Sequence, residues 1–434
     1  MRTIDLRGVP AREAATRLPR AAAAFDHALQ VAGDVVIDVR ERGEASLREQ
    51  AERFDGVTGH EIRVPADRIR AAVDALPADV RAALEKTIDR VRRASAAQVP
   101  TPTVTTLGPG ATVGQRWQPV RRAGVYIPGG KAVYPSSAVM NIVPAQVAGV
   151  AQVALASPPQ PDGSVNETIL AVAGLLGVDE VYAMGGAGAI GALAHGVAEI
   201  GLEPVDVVTG PGNNYVAAAK RHVAGVVATD AEAGATEILI IADDTADPVI
   251  VAADLVSQAE HDEQAGAVLV TWSATLAVAV EEAVAAAASA TRHSARVNAA
   301  LAGPQSAIVL VDDLAAAAAF SDAYAPEHLE VQTADPEGAL ALLHNAGAIF
   351  LGAHTPVSLG DYLAGSNHVL PTGGQARYAA GLGAYTFLRP QQVISYDRAA
   401  LAEVADAIVV LAETEQLPAH GEAVTARFAA PTTV

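Results

Sequence analysis

Cysteine is absent from this chain of 434 residues. That excludes disulfides, thiolate nucleophiles, iron–sulfur clusters and sulfur-ligated zinc, so any metal must be held by nitrogen and oxygen. Aromatic residues are scarce at 4%, and charged residues, at 18%, fall below the usual quarter of a soluble protein. Positive charge is the minority sign: 29 Lys and Arg stand against 49 Asp and Glu, for a formal net charge of −20. A chain this acidic is a poor match for nucleic acid or an anionic membrane surface, and neither is expected as a partner. Long apolar runs are missing too. Alanine-rich stretches such as LAVAVEEAVAAAASATRHSARV are broken by charge and read as soluble helices. The opening MRTIDLRGVPAREAATRLPR has neither the apolar centre nor the small-residue cleavage site of a secretion signal, so a cytoplasmic location is expected. What the chain has in quantity is apolar residues, 51%. At this length they can fill the cores of two or three domains.

The first hundred residues read as helical and are closed by Pro100 and Pro102. After them, short strand-like runs bounded by Gly and Pro alternate with helical runs of ten to fifteen residues. AGVYIPGG, QVALASPP, DEVYAMGG and DVVTGPG form a first series; TEILIIAD, GAVLVTW, SAIVLVDD, HLEVQT and AGAIFLG form a second. Alternation of this kind predicts parallel α/β sheets, and strands without polar alternation predict burial on both faces. From Asp397 the chain is helical again, in a tail too small to hold a core of its own.

Of the eleven histidines, His27, His60, His195, His222, His293, His344 and His354 lie in contexts with no second unusual feature. The others do not. In SQAEHDE, at the end of an amphipathic helix, Gln258 and His261 are three apart and share a helical face. In AYAPEHLEV, Glu327 and His328 are adjacent after Pro326 stops a helix, at the start of a strand. Such a pair is either a polar loop or a base beside a water activator. His368 ends SLGDYLAGSNH, which carries Asp361, and His420 follows Glu415 by five residues in the tail. Gln258, His261, Asp361 and His420 make a nitrogen–oxygen set suited to Zn²⁺ in an open catalytic site, and ligand type alone does not exclude Mn²⁺ or Co²⁺. Three Gly-rich turns, each after a strand and before a helix, suit phosphate. They are Gly129-Gly130 with Ser136 and Ser137, MGGAGAIG, and TGPGNN. Gly186 to Gly191 is a formal GxGxxG, although Asp206, the acid at the expected distance, opens a strand instead of closing one.

With these segments in view, the sequence from about Arg2 to Phe428 resembles the histidinol dehydrogenases, with the actinobacterial branch nearest. The segments that carry the resemblance are GVYIPGGKAVYPSSAVMN, TGPGNNYVAAAKR, DAEAGATEILIIAD, DLVSQAEHDE, YAPEHLEVQTAD, TPVSLGDYLAGSNHVLPTGG and LPAHGEAV. The resemblance implies two incomplete Rossmann-like parallel-sheet domains with small helical terminal segments. Residues 1–25 would be an N-terminal segment. Residues 26–125 with 237–380 would form one α/β domain and 126–236 the other. Residues 381–434 would be a tail packing on the partner of an intertwined homodimer. It implies one Zn²⁺ per subunit on Gln258, His261, Asp361 and His420, and Glu327 and His328 as the acid–base pair. Substrate contacts would come from Thr236, Gln258, His261, His328, Asp361, His368, Glu415 and His420, and NAD contacts from Tyr126, Gly188 and Asn213. The implied activity is NAD-dependent oxidation of L-histidinol through L-histidinal to L-histidine; the alternatives are a related zinc- and NAD-dependent dehydrogenase of another small alcohol, or a zinc-binding dimer without catalysis. Three positions depart from the family pattern. Gly188 stands where Gln is usual, Ala235 where proline is usual, and Gly381-Leu382-Gly383 where the usual run is Gly-Leu-Ser.

Overall fold

The computed structural model describes residues 1–20, 25–129, 133–231 and 234–429. Gly130 of the first Gly-rich turn and part of the 1–25 segment lie outside the described residues. The strands among them are β1 (Arg2–Asp5), β2 (Thr103–Gly108), β3 (Ala111–Pro119), β4 (Arg122–Tyr126), β5 (Gln152–Ser157), β6 (Val181–Ala183) and β7 (Val207–Thr209), then β8 (Ala228–Thr229), β9 (Glu237–Ala242), β10 (Gly266–Thr271), β11 (Ala307–Leu310), β12 (His328–Gln332), β13 (Ala348–Leu351) and β14 (Leu388–Tyr396). They form a five-stranded parallel sheet in the order β6-β5-β4-β7-β8 and a six-stranded parallel sheet in the order β1-β11-β10-β9-β12-β13. The fold class is therefore α/β with two parallel sheets, as the alternation of runs predicts. Every residue of β4, β9, β10 and β12 is buried, because helices cover both faces of each sheet.

The chain divides into two compact units, Met1–Val99 with Val120–Phe387, and Pro100–Pro119 with Leu388–Val434. In the first unit, residues 2–5 are not helical. They add β1 to the edge of the six-stranded sheet, parallel to β11. The helix Phe25–Arg42, grouped above with the 237–380 strands, packs instead on the five-stranded sheet side. Its Ala28, Ala32, Val36 and Val39 join the cluster of Ala189, Leu193, Val216 and Val223. The reason is its apolar stripe at i, i+4, i+8 and i+11, which fits small residues on the helices Gly186–His195 and Asn214–Val223.

In the second unit, β2, β3 and β14 form an antiparallel sheet in the order β14-β3-β2. The helices Arg398–Thr414 and Pro418–Thr425 follow it. The tail is thus not wholly helical: Leu388–Tyr396 pairs along its length with Ala111–Pro119. Val104, Leu107, Val393, Ile394, Val410, Leu411 and Leu417 of this unit are exposed. Among the described residues, no helix is long and apolar enough to cross a membrane.

Candidate functional site

The site is built at the amino ends of β9 and β12, which pair in parallel with His328 opposite Ile238. Thr236 and Glu327 immediately precede these strands. The helix Pro248–Ala259 leaves the carboxyl end of β9 and runs back across the sheet, so its last turn delivers Gln258 to the same edge, with His261 just beyond. Asp247 caps its start by accepting from the Val249 N–H, and Pro248 occupies the first turn.

A hydrogen-bonded chain joins these residues. Gln258 Nε2 donates to Thr236 Oγ1 at 2.8 Å, and the Thr236 hydroxyl donates to Glu327 Oε2 at 2.6 Å. The same carboxylate oxygen accepts from the Glu237 N–H at 2.9 Å. Glu327 and His328 are both buried, with His328 Nδ1 3.5 Å from Glu327 Oε2. Burial pushes the Glu327 carboxyl up to about 8, and the Thr236 hydroxyl and Glu237 N–H pull the other way without offsetting it. Burial also lowers His328, with the Asp361 charge opposing, so the ring is neutral near pH 7.

The tautomer of His328 follows from its partner. Nδ1 lies 3.0 Å from the Glu237 carbonyl oxygen, which can only accept. Nδ1 therefore carries the hydrogen, and Nε2 keeps a free lone pair. His368 differs. Its Nδ1 meets the Asp361 carbonyl at 3.0 Å and its Nε2 meets Ser137 Oγ at 3.0 Å, so both ring nitrogens are engaged. Burial lowers this ring as well. Ser137 stands in the first turn of the helix Pro135–Ala148, which follows β4 of the other sheet. Asn367 strengthens the junction by donating from Nδ2 to the Met140 carbonyl at 2.6 Å. The carboxyl edge of the five-stranded sheet thus faces the amino edge of the six-stranded sheet.

Seven of the residues singled out in the sequence share this site: Thr236, Gln258, His261, Glu327, His328, Asp361 and His368. Glu415 and His420 belong to the second unit, Glu415 at the end of the helix Arg398–Thr414 and His420 in the helix Pro418–Thr425. Among the described residues no three of His, Asp and Glu gather around a metal position. The donor set of the first unit still fits one. Gln258 Oε1 is buried without a hydrogen-bond partner, while the amide nitrogen is held by Thr236. His261 Nδ1 is 3.2 Å from the Gln258 carbonyl, which leaves Nε2 as the free nitrogen. With the Asp361 carboxylate these make two oxygen donors and one nitrogen, and no thiolate is needed.

The residues expected at the cofactor lie at the carboxyl edge of the five-stranded sheet. Strand order reverses at β4, since β5 follows on one side and β7 on the other, and ligands of open α/β sheets bind at such points. The Tyr126 hydroxyl ends β4 and accepts from the Gly186 N–H at 3.2 Å. Asn213 caps the helix Asn214–Val223, its Oδ1 accepting from Tyr215 and Val216 N–H. Gly210, at φ +118°, is pressed so close to the Tyr126 backbone that no side chain fits. Lys220 and Asp230, both buried, hold this turn. Asp230 accepts from the Gly210 N–H at 2.8 Å, and Lys220 donates to the Gly210 carbonyl and to Asp230. In the GxGxxG, Gly191 serves packing: a side chain there would meet Val36 Cα at 3.2 Å.

Sequence reasoning missed Ser137 in its observed place, having read it as part of a phosphate cradle. It also missed Glu237, whose carbonyl sets the His328 tautomer; its only sequence signal is adjacency to Thr236. A third omission is the buried Asp254–Glu330 pair, one turn before Gln258 and two residues after His328. Gln332 Nε2 donates to Asp254 Oδ2 at 3.3 Å and to Glu330 Oε1 at 2.9 Å.

A family model for histidinol dehydrogenase matches residues 18–428. The histidinol dehydrogenase of Leifsonia xyli subsp. xyli is 67% identical over 432 residues, covering 99% of this chain and 99% of that one. That of Mycolicibacterium smegmatis is 54% identical, covering 99% and 98%. The crystal structure of the histidinol dehydrogenase from Elizabethkingia anophelis matches with a TM-score of 0.92 at 31% identity, over 99% of this chain and 98% of that one.

Proposed function

Because this chain belongs to the histidinol dehydrogenase family, the NAD-dependent oxidoreductases of histidine biosynthesis, we propose that the edge of β9 and β12 is its catalytic site. L-Histidinol is oxidised there to L-histidinal and, through the hydrate, to L-histidine, with two NAD⁺ reduced in turn. The observation that carries this reading is the state of the Glu327–His328 pair. One ring nitrogen is locked as a donor and the other is free, beside a carboxyl that is held by two donors and still has a second oxygen available.

His328 Nε2 accepts the substrate's hydroxyl proton, which must leave as the carbon gives up hydride. Its neutrality near pH 7 keeps the lone pair available. Glu327, once ionised, takes a proton from the water that adds to the aldehyde. Thr236 and the Glu237 N–H hold one of its oxygens and so aim the other. His368 is fixed between Ser137 and the Asp361 backbone, and it steadies the segment that carries the Asp361 carboxylate. Burial of Glu327 and His328 excludes bulk water, which keeps the aldehyde from being lost.

Gln258 Oε1, His261 Nε2 and the Asp361 carboxylate would hold a zinc ion, and His420, carried by the tail of a second copy of the chain, would complete the set. When bound, the ion supplies an anchor for the substrate's imidazole and amine nitrogens. Glu415, Thr236 and His368 complete the substrate's surroundings in this reading, and Tyr126, Gly188 and Asn213 face NAD. The exposed apolar residues of the second unit support a homodimer in which that unit is covered by the partner.

The test is zinc content against activity. Protein stripped by a chelator should neither retain zinc nor form NADH from L-histidinol, and zinc should restore both. In the Gln258→Ala variant zinc affinity should fall by at least the roughly 10- to 100-fold that loss of a mere supporting contact costs, since a ligand oxygen itself is gone. Full activity in zinc-free protein would refute the assignment.

A further inference from the structure

The side chain that covers the first turn of the helix Gly186–His195 comes from another part of the chain. Gly188 is buried and has ordinary helical backbone, so conformational freedom does not explain it. A glycine inside a helix is a poor choice on propensity alone. What requires it is Gln50. A Cβ on residue 188 would lie 2.8 Å from Gln50 Cδ and closer still to Oε1.

Gln50 ends the helix Glu44–Gln50, and the π-helical turn Ala51–Asp55 follows at once. Single π turns are uncommon and cluster at functional sites. The amide is fixed in one orientation. Its Nε2 donates to Ser46 Oγ at 2.9 Å, and the buried Ser46 hydroxyl donates to Asp38 Oδ2 at 2.6 Å. That turns Oε1 toward Gly188. Among the described residues Oε1 accepts no hydrogen bond, and the side chain is only half-buried, so a ligand can reach it. The Tyr126 hydroxyl is bonded to Gly186 in this same first turn. This helix crosses β5, β4 and β7, which places its start at the sheet's switch point.

We propose that Gln50 is a cofactor-contacting residue. Reaching over Gly188, its Oε1 accepts from a ribose hydroxyl of the nicotinamide dinucleotide, and Gly188 is the gap that admits it. The inference rests on the reading that the carboxyl edge of the five-stranded sheet takes NAD.

Steady-state titration of NAD⁺ at saturating L-histidinol tests it. Loss of one uncharged hydrogen bond in Gln50→Ala should raise the NAD⁺ KM about three- to tenfold. The KM for L-histidinol, and kcat at saturating NAD⁺, should not change. Gly188→Ala should give the same loss by a different route, because its methyl group displaces the amide. It is also the safer variant for folding, since alanine favours a helix. The double variant should be no worse than either single one. An unchanged NAD⁺ KM in both single variants, or losses that multiply in the double variant, would overturn the proposal. If the unmodified protein forms no NADH from L-histidinol, the functional reading itself falls. If it does and the variants bind NAD⁺ normally, only the role of Gln50 falls.

Discussion

Replacing Glu327 by Gln separates the carboxyl's chemistry from its shape. In the native site Glu327 is surrounded by protein, and burial pushes it up to about 8. With that value roughly one-tenth of the protein carries the carboxylate at pH 7 and roughly nine-tenths at pH 9. If ionised Glu327 activates water, kcat should rise about tenfold over that interval. Gln keeps the hydrogen-bond acceptor toward Thr236 and the Glu237 N–H but takes no proton. The variant should lose about two to four orders of magnitude in kcat and show no rise between pH 7 and pH 9.

The same shift has a sign for stability. A carboxyl whose folded value lies above its unfolded value of 4.5 binds its proton more tightly when folded. Its contribution is therefore full at pH below 4.5, declines as pH rises, and is exhausted above about 8. Metal-free Glu327→Gln should accordingly unfold at higher temperature than the unmodified metal-free protein at pH 8.5, by a margin that shrinks toward pH 5. Stopped-flow NADH formation at several pH values measures the first effect and thermal melts measure the second. A variant that keeps the native pH profile would refute the role given to Glu327.

Other perturbations follow from single contacts. Thr236→Val removes a donor that favours the Glu327 carboxylate, so the rising limb of the kcat–pH profile should move to higher pH. Lys220→Met leaves Asp230 buried without its counter-charge and should cost about 3–5 kcal/mol of stability, read from urea unfolding. Burial pushes Glu330 up to about 9, with the Asp254 charge adding to it. The folded protein therefore keeps this proton through the range in which the unfolded chain loses it, so Glu330→Gln should melt like the unmodified protein near pH 4.5 and exceed it by a margin that grows as pH rises toward 9 and is constant above that. His328→Asn should lower kcat by about two to four orders of magnitude in single-turnover assays.

The buried strands of both sheets were legible because unbroken apolar runs between Gly and Pro have few other fates. β1 was not: RTID is short, partly exposed, and gains its strand form only by lying beside β11, about three hundred residues on. β2, β3 and β14 escaped for the same reason. Thr103–Gly108 is mostly exposed, and its sheet is completed by Leu388–Tyr396. Within the site, Glu327 and His328 stood out because two titratable groups adjoin at a strand's start. Glu237 and Ser137 did not, since one acts through its backbone carbonyl and N–H and the other through a helix from the opposite sheet. Gln50 could not be foreseen at all; nothing in LREQAERF marks that its amide lies over residue 188.

The most direct measurement is the amount of NADH formed when a limiting, known quantity of L-histidinol is consumed by the zinc-loaded protein. Two NADH for each L-histidinol, with L-histidine as the product, is the result expected if one site carries out both oxidations. One NADH with L-histidinal accumulating, or none, would contradict it.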